Sequence, residues 1–160
     1  MTALASTLRL TAPDPAATTR LGMALAVVAR PGDLVCLWGD LGAGKTHLAK
    51  ASGAGLGVTD TIVSPSFVLM AEYEGRLPLF HLDPYRLADA ADALAGGLID
   101  ERQATGVTLV EWPERLGDAL PEARLDVRID GSGDDPRTIT LVAGAPDYER
   151  YLAAVPGPRP

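Results

Sequence analysis

Residues 39–46 read Gly39-Asp40-Leu41-Gly42-Ala43-Gly44-Lys45-Thr46. A glycine, four further residues and then Gly-Lys-Thr make up the Walker A pattern. Its glycines let backbone N–H groups approach an anion, and the N-terminus of the helix that follows adds partial positive charge. Its lysine is a compact cation for the β- and γ-phosphates of a nucleotide, and its threonine hydroxyl can coordinate Mg²⁺. The pattern therefore predicts a nucleotide-phosphate site; the alternative is a glycine-rich turn without a ligand.

The residues on either side suit such a loop. Leu34–Trp38 is a short apolar run that follows a proline and a glycine, which is typical of a buried strand. The residues from Thr46 to Ala54 have the pattern of a helix. Of the 14 basic side chains only two are lysines, and Lys45 stands where a compact charge is needed. This context supports the phosphate site.

Length and composition narrow the class of protein. A chain of 160 residues suits one domain, which we expect to span residues 1–155, with a disordered tail at 156–160. The net charge of −7 argues against a protein that grips nucleic acid by itself. The single cysteine, Cys36, lies in the apolar run and is interpreted as a small buried residue. Without a secretion signal or a membrane-length apolar run, the chain is expected to be cytoplasmic and to contact no membrane.

The order of the predicted elements is that of an α/β protein. Strands are predicted at Ser6–Ala12, Leu34–Trp38, Phe67–Tyr73, Leu77–Asp83, Val107–Val110, Leu125–Ile129 and Thr138–Val142. Helices are predicted from Asp14, from Thr46, at Asp89–Leu94 and Ile99–Gln103, from Pro113 and over Pro146–Val155. The expected fold is a P-loop NTPase-like three-layer sandwich around a mixed, mainly parallel central sheet that includes one hairpin, with its turn at residues 74–76.

Two acidic residues stand at the ends of predicted strands. A Walker A enzyme needs an acid that holds Mg²⁺ and a group that orients the attacking nucleophile. Asp83 and Glu111 both suit these roles, because each follows an apolar strand. The alternative for Glu111 is a strand-end carboxylate in water. The alternative for Asp83 is an N-cap or turn residue before Pro84.

Five other side chains near these positions have two interpretations each. Ser64 and Ser66 either sense the γ-phosphate or belong to a polar turn. Arg86 pairs either with a phosphate or with Asp83. His81 is either structural or catalytic, and Trp112 either packs or reports nucleotide binding.

Four segments of the chain, taken in this order, resemble the TsaE family. They are residues 39–46, 64–67, 81–87 and 110–114. Proteins of that family are bacterial ATPases required for threonylcarbamoyl modification of adenosine 37 in tRNA. The resemblance implies ATP and Mg²⁺ as cofactors, with Thr46 and Glu111 on the metal and Asp83 near the metal and the attacking water. It also implies contacts to the phosphates from Asp40, Leu41, Gly42, Ala43, Gly44, Lys45, Thr46 and His47, and to the rest of the nucleotide from Asp14 and Arg137.

The same resemblance implies how the protein works. It would hydrolyse ATP slowly alone and act in a complex with the TsaB and TsaD proteins, meeting tRNA only through that complex. The chain departs from the family pattern at Ser66, at Pro84 and at His47, and none of these changes removes a group that the chemistry needs. Two rival functions remain, a small-molecule kinase and a non-enzymatic nucleotide switch. A GTPase is excluded because the guanine-reading motif needs asparagine, which the chain lacks.

Overall fold

The computed structural model describes residues 6–40, 42–62, 70–86 and 101–156. Its strands are β1 (Ser6–Ala12), β2 (Leu34–Trp38), β3 (Met70–Tyr73), β4 (Leu79–Leu82), β5 (Val107–Glu111), β6 (Leu125–Asp130) and β7 (Arg137–Ala143). Its α-helices are α1 (Pro15–Val27), α2 (Lys45–Gly55) and α3 (Glu149–Ala154). The α/β class is confirmed.

The strands form one mixed sheet in the order β1-β7-β6-β2-β5-β4-β3. Strand β2 lies at the centre and runs parallel to both β5 and β6, and β4 is parallel to β5. The hairpin predicted from the sequence is present as β3 and β4. A second hairpin joins β6 to β7, which also pairs antiparallel with β1. The loop that links β6 to β7 is short, so the two strands run antiparallel. The parallel pairs are those of β6 with β2, β2 with β5 and β5 with β4, in the middle of the sheet.

Helices α1 and α2 pack side by side on one face of the sheet. Asp14 is the N-cap of α1, and its carboxylate accepts a hydrogen bond from Ala17 N at 2.9 Å. Gly22 allows the two helices to approach closely, since a Cβ atom on it would lie 2.6 Å from the Cβ of Ala51. The close packing sets the position of α2, and with it the position of the loop that precedes α2.

The central strands are buried on both faces, as expected for parallel strands. Their helix face contributes Leu37, Leu109 and Val127 to the main core. The opposite face holds a second cluster of Leu34, Cys36, Phe80, Leu82, Val110 and Leu116. Burial raises the pKa of the Cys36 thiol to about 12, so its interpretation as a small buried residue is confirmed.

Three of the predicted helices are wholly or partly 3-10 helix. The segment predicted at Ile99–Gln103 is a 3-10 helix over Glu101–Thr105, and the terminal helix starts with a 3-10 turn at Pro146–Tyr148 before α3. A 3-10 turn at Pro113–Arg115 follows β5, as the proline indicated. The helix predicted at 89–94, the first residues of the strand predicted from Phe67, and most of the tail lie outside the described residues. No helix of the described part is long and apolar enough to cross a membrane.

A polar cluster fastens α3 to the start of β2. Asp33 is only 5% exposed and accepts hydrogen bonds from Arg30 N at 2.9 Å, from the Arg150 guanidinium and from the Tyr151 hydroxyl. Beside it, Leu34 N donates to the Tyr148 hydroxyl oxygen at 2.9 Å. Burial, together with the Asp33 carboxylate, raises the pKa of Tyr151, so its hydroxyl stays a donor. This cluster lies at the amino end of the parallel strands.

Candidate nucleotide-binding site

The loop between β2 and α2 has the backbone that the Walker A pattern predicts. Gly39, Gly42 and Gly44 have φ values of 154°, 84° and 111°, a region that other residues rarely adopt. A Cβ atom on Gly39 would also lie 2.6 Å from the carbonyl oxygen of Ile129. Gly44 is the N-cap of α2 and has no side chain to bond the first N–H groups of that helix. Those donors therefore remain available to an anion.

Lys45 begins α2 and is only 5% exposed. Its Nζ donates to Gly39 O at 2.7 Å and lies 3.3 Å from the centroid of the Trp112 ring. Burial lowers the pKa of Lys45, and the charges of Glu111, Glu114, Asp83 and Asp40 oppose that shift. The lysine cation is thus surrounded by acidic residues from three separate parts of the chain.

Glu111 ends β5 and connects three elements of the fold. Its side chain is 4% exposed, and its Oε1 accepts a hydrogen bond from the Thr46 hydroxyl at 2.9 Å. Its Oε2 lies 2.6 Å from Nε2 of His81, on β4. Strands β4 and β5 are parallel, so their carboxyl ends meet at the edge of the sheet where α2 begins. Glu111 and the Walker A loop therefore lie at the same edge of the sheet.

The pair formed by Thr46 and Glu111 has the geometry of two neighbouring Mg²⁺ ligands. Octahedral Mg²⁺ binds oxygen at about 2.0–2.1 Å, so two adjacent ligand oxygens lie about 2.9 Å apart. Oγ1 of Thr46 and Oε1 of Glu111 have this separation. In the described part of the chain no three histidine, cysteine or acidic side chains form a dedicated metal cluster. A Mg²⁺ ion held by Thr46 and Glu111 would take its remaining ligands from phosphate and water.

Asp83 follows β4 and is 3% exposed. Its Oδ1 accepts a hydrogen bond from Tyr85 N at 3.2 Å, so it stabilises the turn at Pro84–Arg86 as well as acting on the charge of Lys45. The two interpretations of Asp83, as a turn residue and as a group near the phosphates, are thus compatible. Its role on the metal or on water stays a prediction.

A cavity of about 310 Å³ opens beside the loop. Its lining comprises Ala12, Pro13, Asp14, Pro15, Thr18, Ala43, Gly44, His47, Gly133, Asp134, Asp135 and Arg137. Nε2 of His47 lies 2.8 Å from the Thr19 hydroxyl and 3.2 Å from Pro15 O, which places the ring against the start of α1. The cavity adjoins Gly44, and its lining includes Asp14 and Arg137, the two residues expected on the rest of the nucleotide, as well as His47, which was expected on the phosphates. These contacts stay predictions.

Arg137 also holds the loop itself. Its Nε donates to Ala43 O at 2.9 Å, and one Nη donates to Gly133 O at 3.0 Å. The other Nη donates to Asp135 O. The guanidinium thus links the Walker A loop to the loop between β6 and β7. Residues 133–135 belong to the cavity wall, and no sequence pattern had pointed to them.

Trp112 packs directly against the lysine of the site, which the sequence did not predict for its packing interpretation. It is the only residue other than glycine with a positive φ in the described part, at φ 54° and ψ 51°. Its ring covers Lys45, and the Tyr85 ring lies 4.8 Å away, centroid to centroid. The contact of His81 with Glu111 was also missed, although the alternation of His81 with Asp83 places both on one face of β4. Leu41, Ser64, Ser66 and the side chain of Arg86 lie outside the described part of the structure.

Comparison with known proteins identifies the family of this chain. The family model "Threonylcarbamoyl adenosine biosynthesis protein TsaE" matches residues 12–139. The chain belongs to the TsaE family. The predicted resemblance is therefore confirmed, and the matched range contains the Walker A loop, Asp83, Glu111 and Arg137.

Individual relatives cover most of the chain. The tRNA threonylcarbamoyladenosine biosynthesis protein TsaE of Bacillus subtilis is 42% identical over 137 residues, which is 85% of this chain and 85% of that protein. The protein of the same name from Treponema pallidum is 40% identical and covers 78% of this chain and 92% of its own length. The crystal structure of Bacillus subtilis YdiB matches with a TM-score of 0.78 and 35% identity, over 96% of this chain and 97% of that one. Proteins of the TsaE family function in tRNA threonylcarbamoyladenosine biosynthesis.

Proposed function

We propose that this chain is a Mg²⁺-dependent ATPase that acts in the cytoplasm, in the synthesis of threonylcarbamoyladenosine in tRNA. The observation that carries the proposal is the contact of Thr46 with Glu111 at 2.9 Å, at the end of a Walker A loop whose lysine is buried. Family membership supports the role in this pathway, and the arrangement of the site supports ATP hydrolysis.

The residues of the site divide the work of binding ATP. Backbone N–H groups of residues 40–46 and the N-terminus of α2 would hold the phosphates, and Lys45 would neutralise the β- and γ-phosphates. His47, the last residue of the phosphate-binding segment, lines the adjoining cavity, where Asp14 and Arg137 would contact the rest of the nucleotide. Thr46 and Glu111 would hold Mg²⁺, which when bound neutralises charge on the phosphates. Asp83 would orient the attacking water and assist at the metal.

The rival function of a small-molecule kinase needs arginines that close over an acceptor. Arg76 lies in the middle of the chain, and its guanidinium donates to Ala26 O at 2.7 Å and Ala29 O at 3.4 Å. These contacts fasten it to the end of α1. Arg76 is therefore not free to close over an acceptor, which counts against the kinase.

We further propose that the partners are the TsaB and TsaD proteins, which would contact tRNA in place of this acidic chain. A net charge of −7 disfavours direct binding to a polyanion. A site completed by a partner turns over slowly in the free protein.

The test combines binding, turnover and the modification itself. We expect the free protein to bind ATP and hydrolyse it slowly, and to turn over several-fold faster with TsaB and TsaD. Lys45→Ala removes a charge-assisted contact worth about 2–3 kcal/mol, so ATP should bind roughly 30–100-fold more weakly in calorimetry. Cells that lack the gene should accumulate tRNA without the threonylcarbamoyl group on adenosine 37, measured by mass spectrometry of nucleoside digests. Normal modification in a clean deletion would refute the pathway, and unchanged affinity in Lys45→Ala would refute the phosphate site.

A further inference from the structure

The two carboxylate oxygens of Glu111 have different partners. Oε1 accepts from the Thr46 hydroxyl, and Oε2 lies 2.6 Å from Nε2 of His81. The His81 side chain is fully buried, and the Glu111 side chain is 4% exposed. Because water has little access to this pair, the two hydrogen bonds are the contacts that orient the carboxylate.

The direction of the hydrogen bond follows from its partners. An ionised carboxylate can only accept, so with Glu111 in that form Nε2 of His81 carries the proton and donates to Oε2. Nδ1 of the same ring is buried and has no hydrogen-bond partner in the part of the chain that the structure describes. A buried polar atom without a partner is unfavourable, and Leu79 and Leu82 on the same strand show that this strand accommodates apolar side chains. Packing alone therefore does not explain a histidine here, whereas its contact with Glu111 does.

We propose that His81 is a positioning residue for Glu111. By holding Oε2 it leaves Oε1 alone to face the Thr46 hydroxyl, so that Glu111 binds the metal through a single oxygen. Single-oxygen binding suits Mg²⁺, which is small and strictly octahedral, whereas Ca²⁺ is larger and often takes both oxygens of a carboxylate. His81 would thus favour Mg²⁺ over Ca²⁺ in the nucleotide complex. The inference rests on the proposed ATPase function.

The experiment measures ATP affinity by calorimetry in EDTA, in Mg²⁺ and in Ca²⁺. His81→Leu removes the donor and keeps an apolar side chain, and His81→Gln keeps an N–H donor near the position of Nε2. We expect equal affinities in EDTA for all three proteins. The gain in affinity that Mg²⁺ gives should fall about 10–100-fold in His81→Leu, the range seen when partners of metal ligands are removed, and should largely return in His81→Gln. The preference for Mg²⁺ over Ca²⁺ should fall with it.

Two controls make the result specific. Thr108→Val removes a buried polar group from β5 next to the apolar second cluster and should leave the Mg²⁺ gain unchanged. In a Glu111→Gln background, His81→Leu should cause no further loss, because its effect passes through Glu111.

Several outcomes would overturn the inference. They are a Mg²⁺ gain in His81→Leu equal to that of the wild type, an equal loss of affinity in EDTA, and an additive loss in the double variant. If His81→Leu does not fold, His81→Met, which also lacks an N–H donor, takes its place: a Mg²⁺ gain well below that of His81→Gln supports the role, and equal gains in the two variants overturn it. If the wild type binds no ATP under any condition, the proposed function fails instead, so the two failures are distinguishable.

Discussion

Two buried carboxylates lie at opposite ends of the parallel strands, and they differ in their partners. Asp33, at the amino end, is bonded to the Arg150 guanidinium, to a phenol and to a backbone N–H. Glu111, at the carboxyl end, is bonded to a hydroxyl and an imidazole. The cation near Glu111 is Lys45, and it donates to Gly39 O.

The comparison distinguishes an acid whose charge is neutralised within the fold from one that we propose to hold a metal ion. The charge of Asp33 is neutralised within the fold by Arg150, and the contact holds α3 in place. The Glu111 carboxylate is hydrogen-bonded to a hydroxyl and to an imidazole, and neither partner is a cation when the histidine is neutral. Its negative charge is therefore left for a metal ion to neutralise. Burial alone does not distinguish the two residues, because both are almost inaccessible to water.

The largest expected effect is on stability at the Asp33 end. Asp33→Ala removes the buried carboxylate to which the partly buried Arg150 and the buried Tyr151 hydroxyl donate, which should lower the free energy of unfolding by about 3–5 kcal/mol. Asp147→Ala is the control, because Asp147 also pairs with Arg150 but has a side chain that is 68% exposed. Its loss should cost less than about 1 kcal/mol. Urea denaturation measures the free energy of unfolding of both variants. Equal losses would mean that the buried pair of Asp33 and Arg150 contributes no more to stability than the exposed pair.

The opposite result is expected at the Glu111 end. Glu111→Gln keeps the size of the side chain but weakens metal binding, so ATP hydrolysis should fall about 100-fold or more, equivalent to about 2.7 kcal/mol in the barrier. Its free energy of unfolding should change by less than about 1 kcal/mol, because a buried charge is removed together with its desolvation cost.

Asp83→Asn should spare ATP binding and reduce turnover. Hydrolysis at the wild-type rate in both variants would refute the assignment of the two acids.

The contrast also shows what the sequence could predict. The Walker A loop, β2 and the start of α2 follow from local pattern, since glycines, an apolar run and a helix start lie next to one another in the chain. The N-cap at Asp14 is predictable for the same reason. The contact between His81 and Glu111 joins residues 30 positions apart, and it depends on the register of β4 against β5, which no local pattern fixes.

Pairing between distant segments explains the other differences. The partners of β7 are β1 and β6, so the antiparallel half of the sheet depends on contacts between the two ends of the chain. The position of Arg137 on the carbonyls of the Walker A loop depends on that pairing. Asp33 carried no motif at all, because its partners Arg150 and Tyr151 belong to a helix more than 110 residues later.

The smallest expected effect concerns backbone strain at Trp112, beside the Glu111 end of the strands. Trp112 follows Glu111 with a φ of 54°, a conformation that costs a residue with a Cβ about 1–2 kcal/mol and costs glycine little. Trp112→Gly should therefore be more stable than Trp112→Ala by about 1 kcal/mol, although both lose the contact of the ring with Lys45. The control is Ala54→Gly, at an exposed position in α2, where glycine should cost about 1 kcal/mol relative to alanine. Urea denaturation of the variants gives both differences. The same sign at both positions would mean that the residue after Glu111 relaxes to a negative φ once the indole ring is gone, and that the ring imposes the strain.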